Sequence, residues 1–290
     1  MPIEFVKSHG AGNDFVLIED LDDQIGLLDG AFVALVCDRH QGVGGDGLIR
    51  IAPSGEADFF MDYYNADGGV AEMCGNGIRC LAKYVADRGI IGGDTLRVDT
   101  RAGIKHLVLY RNDEGLVDRV RVDMGPPVVE TTAMPKAGGG DPLHVQLDVH
   151  GTPVEAACVS MGNPHAVVVV PALAEVNVEL LGPAIETHAI FPAKTNVEFT
   201  EILSRDEVRV RVWERGVGET QACGTGACAT AVATAMLGLT ERTVGVNMPG
   251  GRLDIDWTDE TTFLTGPVVE VFSGTLDEHI GRRLPAPSRR

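Results

Sequence analysis

The chain has 290 residues, of which 44% are hydrophobic and 23% charged, a balance typical of folded globular proteins and not of disordered or fibrous ones. At about 150 residues per domain, this length predicts two domains. Aspartate and glutamate total 42 against 24 lysines and arginines, so the formal net charge is −18. Because such a field repels phosphate backbones, we expect no nucleic-acid partner.

Neither a membrane helix nor a secretory signal is expected. No run approaches the roughly 18 consecutive apolar residues that a spanning helix needs. The first residues, MPIEFVKSHG, lack the basic and then apolar pattern of a signal peptide. We therefore expect a cytoplasmic protein without a membrane partner, in which cysteines stay reduced.

The first third of the chain alternates strand patterns with a helix. Strand patterns occur at 12–18, 47–52 and 59–68, and DGAFVALVCDRH (29–40) predicts a helix between the first two.

The glycine-rich segment 42–47 matches G-x-G-x-x-G. It follows a helix and precedes a strand, the reverse of a dinucleotide-binding turn, so we expect no nucleotide cofactor there.

Two cysteine clusters then stand out, at 74–80 (CGNGIRC) and at 223–228 (CGTGAC). Each begins Cys-Gly-polar-Gly and runs directly into a helical pattern. The second cluster follows the first by 149 positions, about half the chain. Such an offset indicates an internal duplication.

Four more pairs of segments share nearly the same offset, which supports the duplication. These pairs are 12–18 with 162–168, 47–52 with 196–201, 59–68 with 208–217, and 96–104 with 244–252. The sequence therefore predicts an α+β fold of two pseudo-symmetric halves, each a strand-rich sheet or barrel wrapped around a central helix. We place the halves at 1–123 with 269–290 and at 124–268, because the last apolar segment, 268–280, can return to the first half as an added strand.

A cysteine at the start of a helix has a definite chemical environment. The first turn leaves amide N–H groups without intrahelical partners and carries about half a positive charge, so it binds anions and favours a thiolate. Glycines allow a ligand to approach those amides. If Cys74 and Cys223 face one ligand, one can remove an α-proton and the other can return a proton to the opposite face. This pattern predicts an enzyme that inverts an amino-acid α-carbon by general acid–base catalysis without a cofactor.

The remaining cysteines are expected to fill the core. Cys37 and Cys158 lie in apolar segments, and Cys80 and Cys228 lie farther along the two helices. The C-x5-C and C-x4-C spacings, with no histidine close by, do not fit a zinc site. We therefore expect no metal.

The chain resembles the diaminopimelate epimerases over essentially its whole length. The motifs that carry the resemblance are HGAGNDFVLI, DRHQGVGGDG, YYNADGGVAEMCGNGIRC, MGNPH, TNVEF and WERGVGETQACGTGACA. The resemblance implies an isomerase, usually a homodimer, that converts LL-2,6-diaminopimelate to meso-diaminopimelate without pyridoxal phosphate, in lysine and peptidoglycan precursor biosynthesis.

The resemblance also implies roles for individual residues. Cys74 and Cys223 would be the thiolate and thiol pair, with His165 and Glu214 tuning their pKa values. Arg215 would bind the distal carboxylate and Glu214 the distal ammonium, and a one-headed amino acid would leave these groups without partners. The implied substrate contacts are Asn13, Asn65, Gly75, Asn76, Asn163, Asn196, Glu214, Arg215, Gly224 and Thr225.

Two positions depart from the pattern of many relatives. Gly47 stands where many of them have a glutamine in the substrate pocket, so a water or a neighbouring group must take its place. Phe272 stands where some have a tyrosine at the dimer interface, so a phenol hydrogen bond would be absent there.

Alternatives remain open at this point. The asparagines also suit turns, and His165 also suits a core position. Proline racemases and hydroxyproline epimerases share the two-thiol chemistry, and phenazine-biosynthesis isomerases share the fold without the cysteine pair. The chain could instead be an amino-acid-binding protein or a redox sensor whose thiols form a disulfide. The sequence alone does not distinguish which cysteine is the base for the LL substrate.

Overall fold

The computed structural model describes residues 2–129, 140–277 and 280. By its contacts the chain divides into two compact units. Unit 1 comprises Met1–Val122 and Gly266–Arg290, and unit 2 comprises Asp123–Thr265. The domain boundaries drawn from the sequence stay a prediction.

The described residues form strands along most of their length, as expected for a strand-rich fold. In chain order the strands are β1 Ile3–Gly10, β2 Asn13–Glu19, β3 Gly47–Ala52, β4 Phe59–Asn65, β5 Thr95–Asp99, β6 Lys105–Arg111, β7 Val117–Gly125, β8 Val145–Val149, β9 Thr152–Ser160, β10 Pro164–Val169, β11 Asn196–Ser204, β12 Glu207–Glu214, β13 Gly218–Thr220, β14 Thr243–Met248, β15 Gly251–Trp257, β16 Thr262–Pro267 and β17 Val269–Leu276.

The helices are fewer. They are α1 Gly30–Cys37, α2 Gly75–Asp87, α3 Val178–Glu186 and α4 Gly224–Met236, with a short 3₁₀ turn at Leu173–Glu175. No helix of the described ranges has the length and apolarity needed to cross a bilayer.

In unit 1 the strands follow the order β17, β1, β2, β3, β4, β5, β6, β7. The pairs β2/β3 and β4/β5 are parallel and the other neighbours are antiparallel. The last strand, β17, pairs with β1 so that Leu276 lies opposite Ile3. The predicted return of the C-terminal segment to the first half is thereby confirmed.

Unit 2 repeats the same succession of pairings. Its order is β8, β9, β10, β11, β12, β14, β15, β16, with β10/β11 and β12/β14 parallel and the other neighbours antiparallel. The short β13 adds to β12. Strand β8 thus takes the place that β17 takes in unit 1. The shared topology confirms the duplication and the predicted α+β class.

Each sheet wraps around one helix. Helix α2 packs on β1, β2, β3 and β6, and α4 packs on β9, β10, β11, β14 and β15. Helix α4 consists almost entirely of glycine, alanine, threonine and cysteine, and every residue from Gly226 to Thr234 is buried. Small side chains allow strands to approach this helix closely on all sides. Helix α2 is more amphipathic and carries an ion pair between the largely buried side chains of Lys83 and Asp87 at 2.7 Å.

The outer helices complete two further hydrophobic clusters. Helix α1 buries Phe32 and Val36 against β2 and β3, and α3 buries Val178 and Ile185 against β10 and β11. Four cysteines lie in the interior, as predicted: Cys37, Cys80, Cys158 and Cys228 are all buried.

Candidate active site

Cys74 and Cys223 occupy the same position in the two units. Each is the N-cap residue of a central helix, in an extended conformation, and its carbonyl accepts the first helical N–H, from Ile78 at 2.9 Å and from Ala227 at 3.0 Å. Neither helix has an acidic residue in its first turn, nor a side-chain cap. The amides of both first turns thus keep their affinity for an anionic ligand. The predicted placement of both thiols at helix starts is confirmed.

The side chains of Asn13, Cys74 and Asn76 meet in unit 1 at the start of α2. Together with Arg79 we call them the Cys74 half-site. The Asn13 Oδ1 atom lies 3.7 Å from the Cys74 sulfur and accepts a hydrogen bond from the Asn76 Nδ2 atom at 3.1 Å. The Asn13 Nδ2 atom donates to Asp46 at 2.6 Å. The orientation of the Asn13 amide is therefore determined from both ends.

Arg79 underlies this half-site and was not identified from the sequence. Its side chain is fully buried, and its guanidinium donates to the Asn76 Oδ1 atom at 2.9 Å, to the Gly75 carbonyl at 2.9 Å and to the Pro267 carbonyl at 3.3 Å. It adds a positive charge to the first turn of α2. An arginine inside the apolar pattern IRCLAKY was the feature that could have revealed it.

Tyr63 fills the space beside Gly47. A Cβ at Gly47 would lie 2.7 Å from the Tyr63 ring and 2.6 Å from the Tyr64 carbonyl oxygen. The Tyr63 hydroxyl donates to the Asn65 Oδ1 atom at 3.0 Å. Tyr63 is therefore the neighbouring group at Gly47, where many relatives have a glutamine, and its hydroxyl orients the candidate ligand-binding residue Asn65.

In unit 2 the equivalent group, the Cys223 half-site, is Asn163, His165, Glu214, Cys223 and Thr225. The Cys223 sulfur lies 3.5 Å from the Thr225 hydroxyl, to which the Asn163 Nδ2 atom donates at 3.3 Å. The Asn163 Oδ1 atom lies 2.9 Å from the His165 Nε2 atom. His165 is thus joined to the thiol through Asn163 and Thr225.

Carboxylates surround Cys223. Burial raises the pKa of this thiol well above its usual value, and the charges of Glu214 and Glu198 raise it further, while the Thr225 hydroxyl and the Gly226 N–H act in the opposite direction. Burial likewise raises the pKa of the Glu214 carboxyl, against hydrogen bonds from the Thr220 hydroxyl and the Cys223 thiol. These surroundings therefore favour the neutral, protonated thiol of Cys223.

Asn196 and Arg215 are tied to the main chain. The buried Asn196 side chain donates to the Pro164 carbonyl at 3.0 Å and accepts the Arg215 N–H at 2.9 Å. The Arg215 guanidinium is exposed and donates to the Ala193 carbonyl at 3.2 Å. Asn196 therefore holds two loops together, and a direct contact of its side chain with a ligand stays a prediction.

The core cysteines are chemically unlike the N-cap pair. Burial raises the pKa of Cys37 and of Cys80 to about 12.

Within the described ranges, no group of three or more histidine, cysteine or acidic side chains could hold a metal ion. What the arrangement offers chemically is two thiols, each at a helix N-terminus with asparagines beside it.

Comparison with solved structures identifies the fold. A probable proline racemase from Agrobacterium radiobacter superposes with a TM-score of 0.71 at 16% identity, covering 95% of this chain and 93% of that one. A phenazine biosynthesis protein from Bacillus anthracis superposes with a TM-score of 0.70 at 17% identity, covering 95% and 99%. At such identities these similarities speak for the fold alone.

Sequence comparison is more specific. Diaminopimelate epimerases from Moorella thermoacetica and Agathobacter rectalis are each 48% identical to this chain, covering 94% and 95% of it and 98% and 99% of their own lengths. The family model described as diaminopimelate epimerase matches residues 5–130 and 157–271, a range that includes both N-cap cysteines. With the fold, the duplicated thiols and these matches in agreement, the chain belongs to the diaminopimelate epimerase family.

Proposed function

We propose that this protein is an isomerase that converts LL-2,6-diaminopimelate to meso-diaminopimelate without a cofactor or metal. The observation that carries the proposal is the occurrence of Cys-Gly-polar-Gly at the start of the central helix in both halves of a duplicated fold. Family membership specifies the substrate. Lysine and peptidoglycan precursor biosynthesis is the corresponding physiological setting.

The proposed mechanism uses Cys74 and Cys223 as a two-base pair. A thiolate takes the α-proton, so a C–H bond breaks and an S–H bond forms, and the electron pair is left on the α-carbon and its carboxylate. First-turn amides at Gly75, Asn76, Gly224 and Thr225 stabilise that charge. The other thiol then gives its proton to the opposite face, which inverts the centre and leaves the second sulfur as thiolate. No electron is gained or lost.

The unequal surroundings of the thiols support a division of roles. Because the pKa of Cys223 is raised by burial and by neighbouring carboxylates, the resting protein carries a proton there. Cys223 is then ready to act as the acid in the direction in which Cys74 is the base. His165 and Glu214 are the proposed tuning residues, with Glu214 acting at the thiol and His165 through Asn163.

The distal end of the substrate needs a second set of contacts. We assign Arg215 to the distal carboxylate, Glu214 to the ammonium, and Asn13, Asn65, Asn163 and Asn196 to orientation. A substrate with one amino-acid end would make none of these distal contacts and would lose their contribution to transition-state binding. Strong selectivity against proline and other one-headed amino acids follows.

A homodimer and a cytoplasmic location complete the proposal. Strand β17 exposes Val269, Val271 and Phe272, an apolar edge suited to a second copy of the chain. The reaction needs reduced thiols, which the cytoplasm maintains. Sedimentation velocity should give the mass of two chains, and a mass of one chain would contradict the dimer.

Deuterium exchange tests the activity directly. In D₂O, without pyridoxal phosphate or metal, the protein should label the α-carbon of LL-diaminopimelate while forming the meso isomer, and a binding protein would label nothing. Cys74→Ala and Cys223→Ala should each lower turnover by about 10²–10⁴-fold or more, whereas the core variant Cys158→Ala should retain it. Faster racemisation of proline than of LL-diaminopimelate would instead favour the proline racemase alternative.

A further inference from the structure

Glu198 is a fully buried carboxylate that the proposed mechanism does not use. It lies on β11 with apolar and threonine neighbours that are also buried. Its Oε1 atom is 2.7 Å from the His165 Nδ1 atom, and its Oε2 atom has no hydrogen-bond partner among the described residues. Burying a carboxylate with one unpaired oxygen costs free energy, so its presence indicates a role other than stability.

The fold makes room for this carboxylate under the first turn of α4. A Cβ at Gly226 would lie 2.7 Å from the Glu198 Oε1 atom and 3.3 Å from the Cys223 Cβ atom. Any side chain at Gly226 would therefore displace the carboxylate. Glycine at this position seats Glu198 directly beside the catalytic cysteine.

From Glu198 a chain of hydrogen bonds runs to the Cys223 half-site. It passes from Glu198 to His165 at 2.7 Å, from His165 to Asn163 at 2.9 Å and from Asn163 to Thr225 at 3.3 Å. An imidazole held at one nitrogen by a carboxylate has its ring orientation determined, and its other nitrogen then positions whatever it contacts.

Unit 1 shows that the fold does not require a polar pair at this place. The equivalent positions on β2 and β3 are Phe15 and Ile49, both fully buried, and they lie beneath Gly77 as Glu198 lies beneath Gly226. Strand register supports the equivalence, because Phe15 pairs with Gly47 as His165 pairs with Asn196. Since apolar residues fill this site in one unit, stability alone does not account for histidine and glutamate in the other.

We propose that Glu198 is a positioning residue of the Cys223 half-site, which holds His165 so that His165 keeps the side-chain amide of Asn163 in one orientation. The inference rests on the proposed function, in which Asn163 contacts the substrate. Glu198 itself is enclosed and touches no ligand. It acts on the orientation of Asn163 through His165. Its charge also raises the pKa of the Cys223 thiol, which is a separate, electrostatic effect.

Glu198→Ile tests the proposal, because it removes the partner of His165 and introduces the residue that unit 1 has at this place. Glu198→Gln is the reference, because it also removes the charge near Cys223 but can still hydrogen-bond His165. Relative to Glu198→Gln, we expect kcat/KM of Glu198→Ile for LL-diaminopimelate to be about tenfold lower, the loss expected for one hydrogen bond. In proteins that already carry Asn163→Ala, Glu198→Ile and Glu198→Gln should differ less than about twofold in kcat/KM. An equal loss in both backgrounds would mean a merely structural role and would overturn the proposal.

Three variants guard against misfolding and non-specific effects. If Glu198→Ile does not fold, the double variant His165→Phe/Glu198→Ile, which reproduces the unit 1 pair, takes its place. Its loss of kcat/KM should likewise be smaller in a protein that already carries Asn163→Ala. Glu198→Gln can still hydrogen-bond His165 and should stay within about threefold of the unmodified protein. Glu201→Ile is the matched control, since Glu201 lies on the same strand and pairs with Arg209 at 3.2 Å; its kcat/KM should change less than twofold.

A measurement without substrate separates this inference from the proposed function. In ¹H–¹⁵N spectra, the side-chain NH₂ pair of Asn163, identified by its absence from Asn163→Ala, should shift or broaden in Glu198→Ile and not in Glu201→Ile. An unchanged pair in Glu198→Ile would overturn the positioning role even in an active enzyme. If the unmodified protein does not epimerise diaminopimelate, the proposed function fails, and these spectra still decide whether Glu198 orients Asn163.

Discussion

The Cys74 and Cys223 half-sites share their main-chain geometry and differ in the charge buried beneath them. In unit 1 the first turn of α2 lies over the guanidinium of Arg79, which holds Asn76. In unit 2 the first turn of α4 lies over Glu198, with Glu214 hydrogen-bonded to the thiol of Cys223. One N-cap cysteine therefore has a buried cation behind it and the other has carboxylates.

The duplication has preserved the main chain around the two cysteines, and the side chains beneath it have changed. The extended N-cap and the Gly-x-Gly turn recur in both units, because only that backbone presents amides and a thiol together. The supporting side chains diverged, because a two-base reaction needs one thiol to hold a proton while the other gives its proton up. Equal surroundings would favour the same protonation state at both sulfurs.

The largest effect is expected from removing the buried cation of unit 1. Arg79→Met deprives Asn76, the Gly75 carbonyl and the Pro267 carbonyl of their donor, at about 1 kcal/mol each, so the free energy of unfolding should fall by about 3 kcal/mol. At the equivalent position of unit 2, Cys228→Ala should cost about 1 kcal/mol. Urea unfolding measures both free energies. Equal losses would mean that Arg79 contributes no more to stability than Cys228 does.

A smaller difference is expected between the two helix-start glycines. A Cβ at Gly77 would meet the ends of Ile49 and Met61, which can rotate away, whereas at Gly226 it would meet the Glu198 oxygen that His165 holds. Gly226→Ala should lower the free energy of unfolding by about 2 kcal/mol and Gly77→Ala by about 1 kcal/mol or less, after the helical preference of alanine is included. A greater loss in Gly77→Ala than in Gly226→Ala would reverse the comparison.

The smallest effect concerns the ionisation of Cys223, which faces Glu214 and Glu198. Glu214→Gln removes a negative charge that raises the pKa of the thiol, so the pKa should fall. Iodoacetamide reacts with the thiolate, and the pH at which Cys223 is half-alkylated should move down, as followed by mass spectrometry. Glu201→Gln should leave the profile in place, and an upward shift in Glu214→Gln would contradict the assigned electrostatics.

Much of the architecture could be predicted because it is encoded in local patterns. The recurrence of Cys-Gly-polar-Gly at half the chain length, the flanking strand patterns and the apolar segment after it predicted the duplication, the two central helices and the N-cap thiols. The added C-terminal strand followed from its position beyond the repeat. Each of these inferences needed only periodicity and order along the chain.

The supports of the site could not be predicted in the same way. Arg79 reaches Pro267, which is 188 positions away, and Glu198 reaches His165 across 33 positions. Tyr63 lies beside Gly47 because β3 and β4 are neighbours. No local pattern records these contacts, and in the motif TNVEF the glutamate resembles an ordinary polar residue of a half-exposed strand.

By itself, the sequence determined which residues can do the chemistry: two cysteines at equivalent helix starts, with glycines that expose amides and asparagines nearby. The inequality of the two thiols arises in the folded protein. The ionisation of a thiol depends on its burial and on charges within a few ångströms. The fold buries Arg79 of α2 against the distant Pro267 carbonyl, and strand pairing brings Glu198 beneath α4.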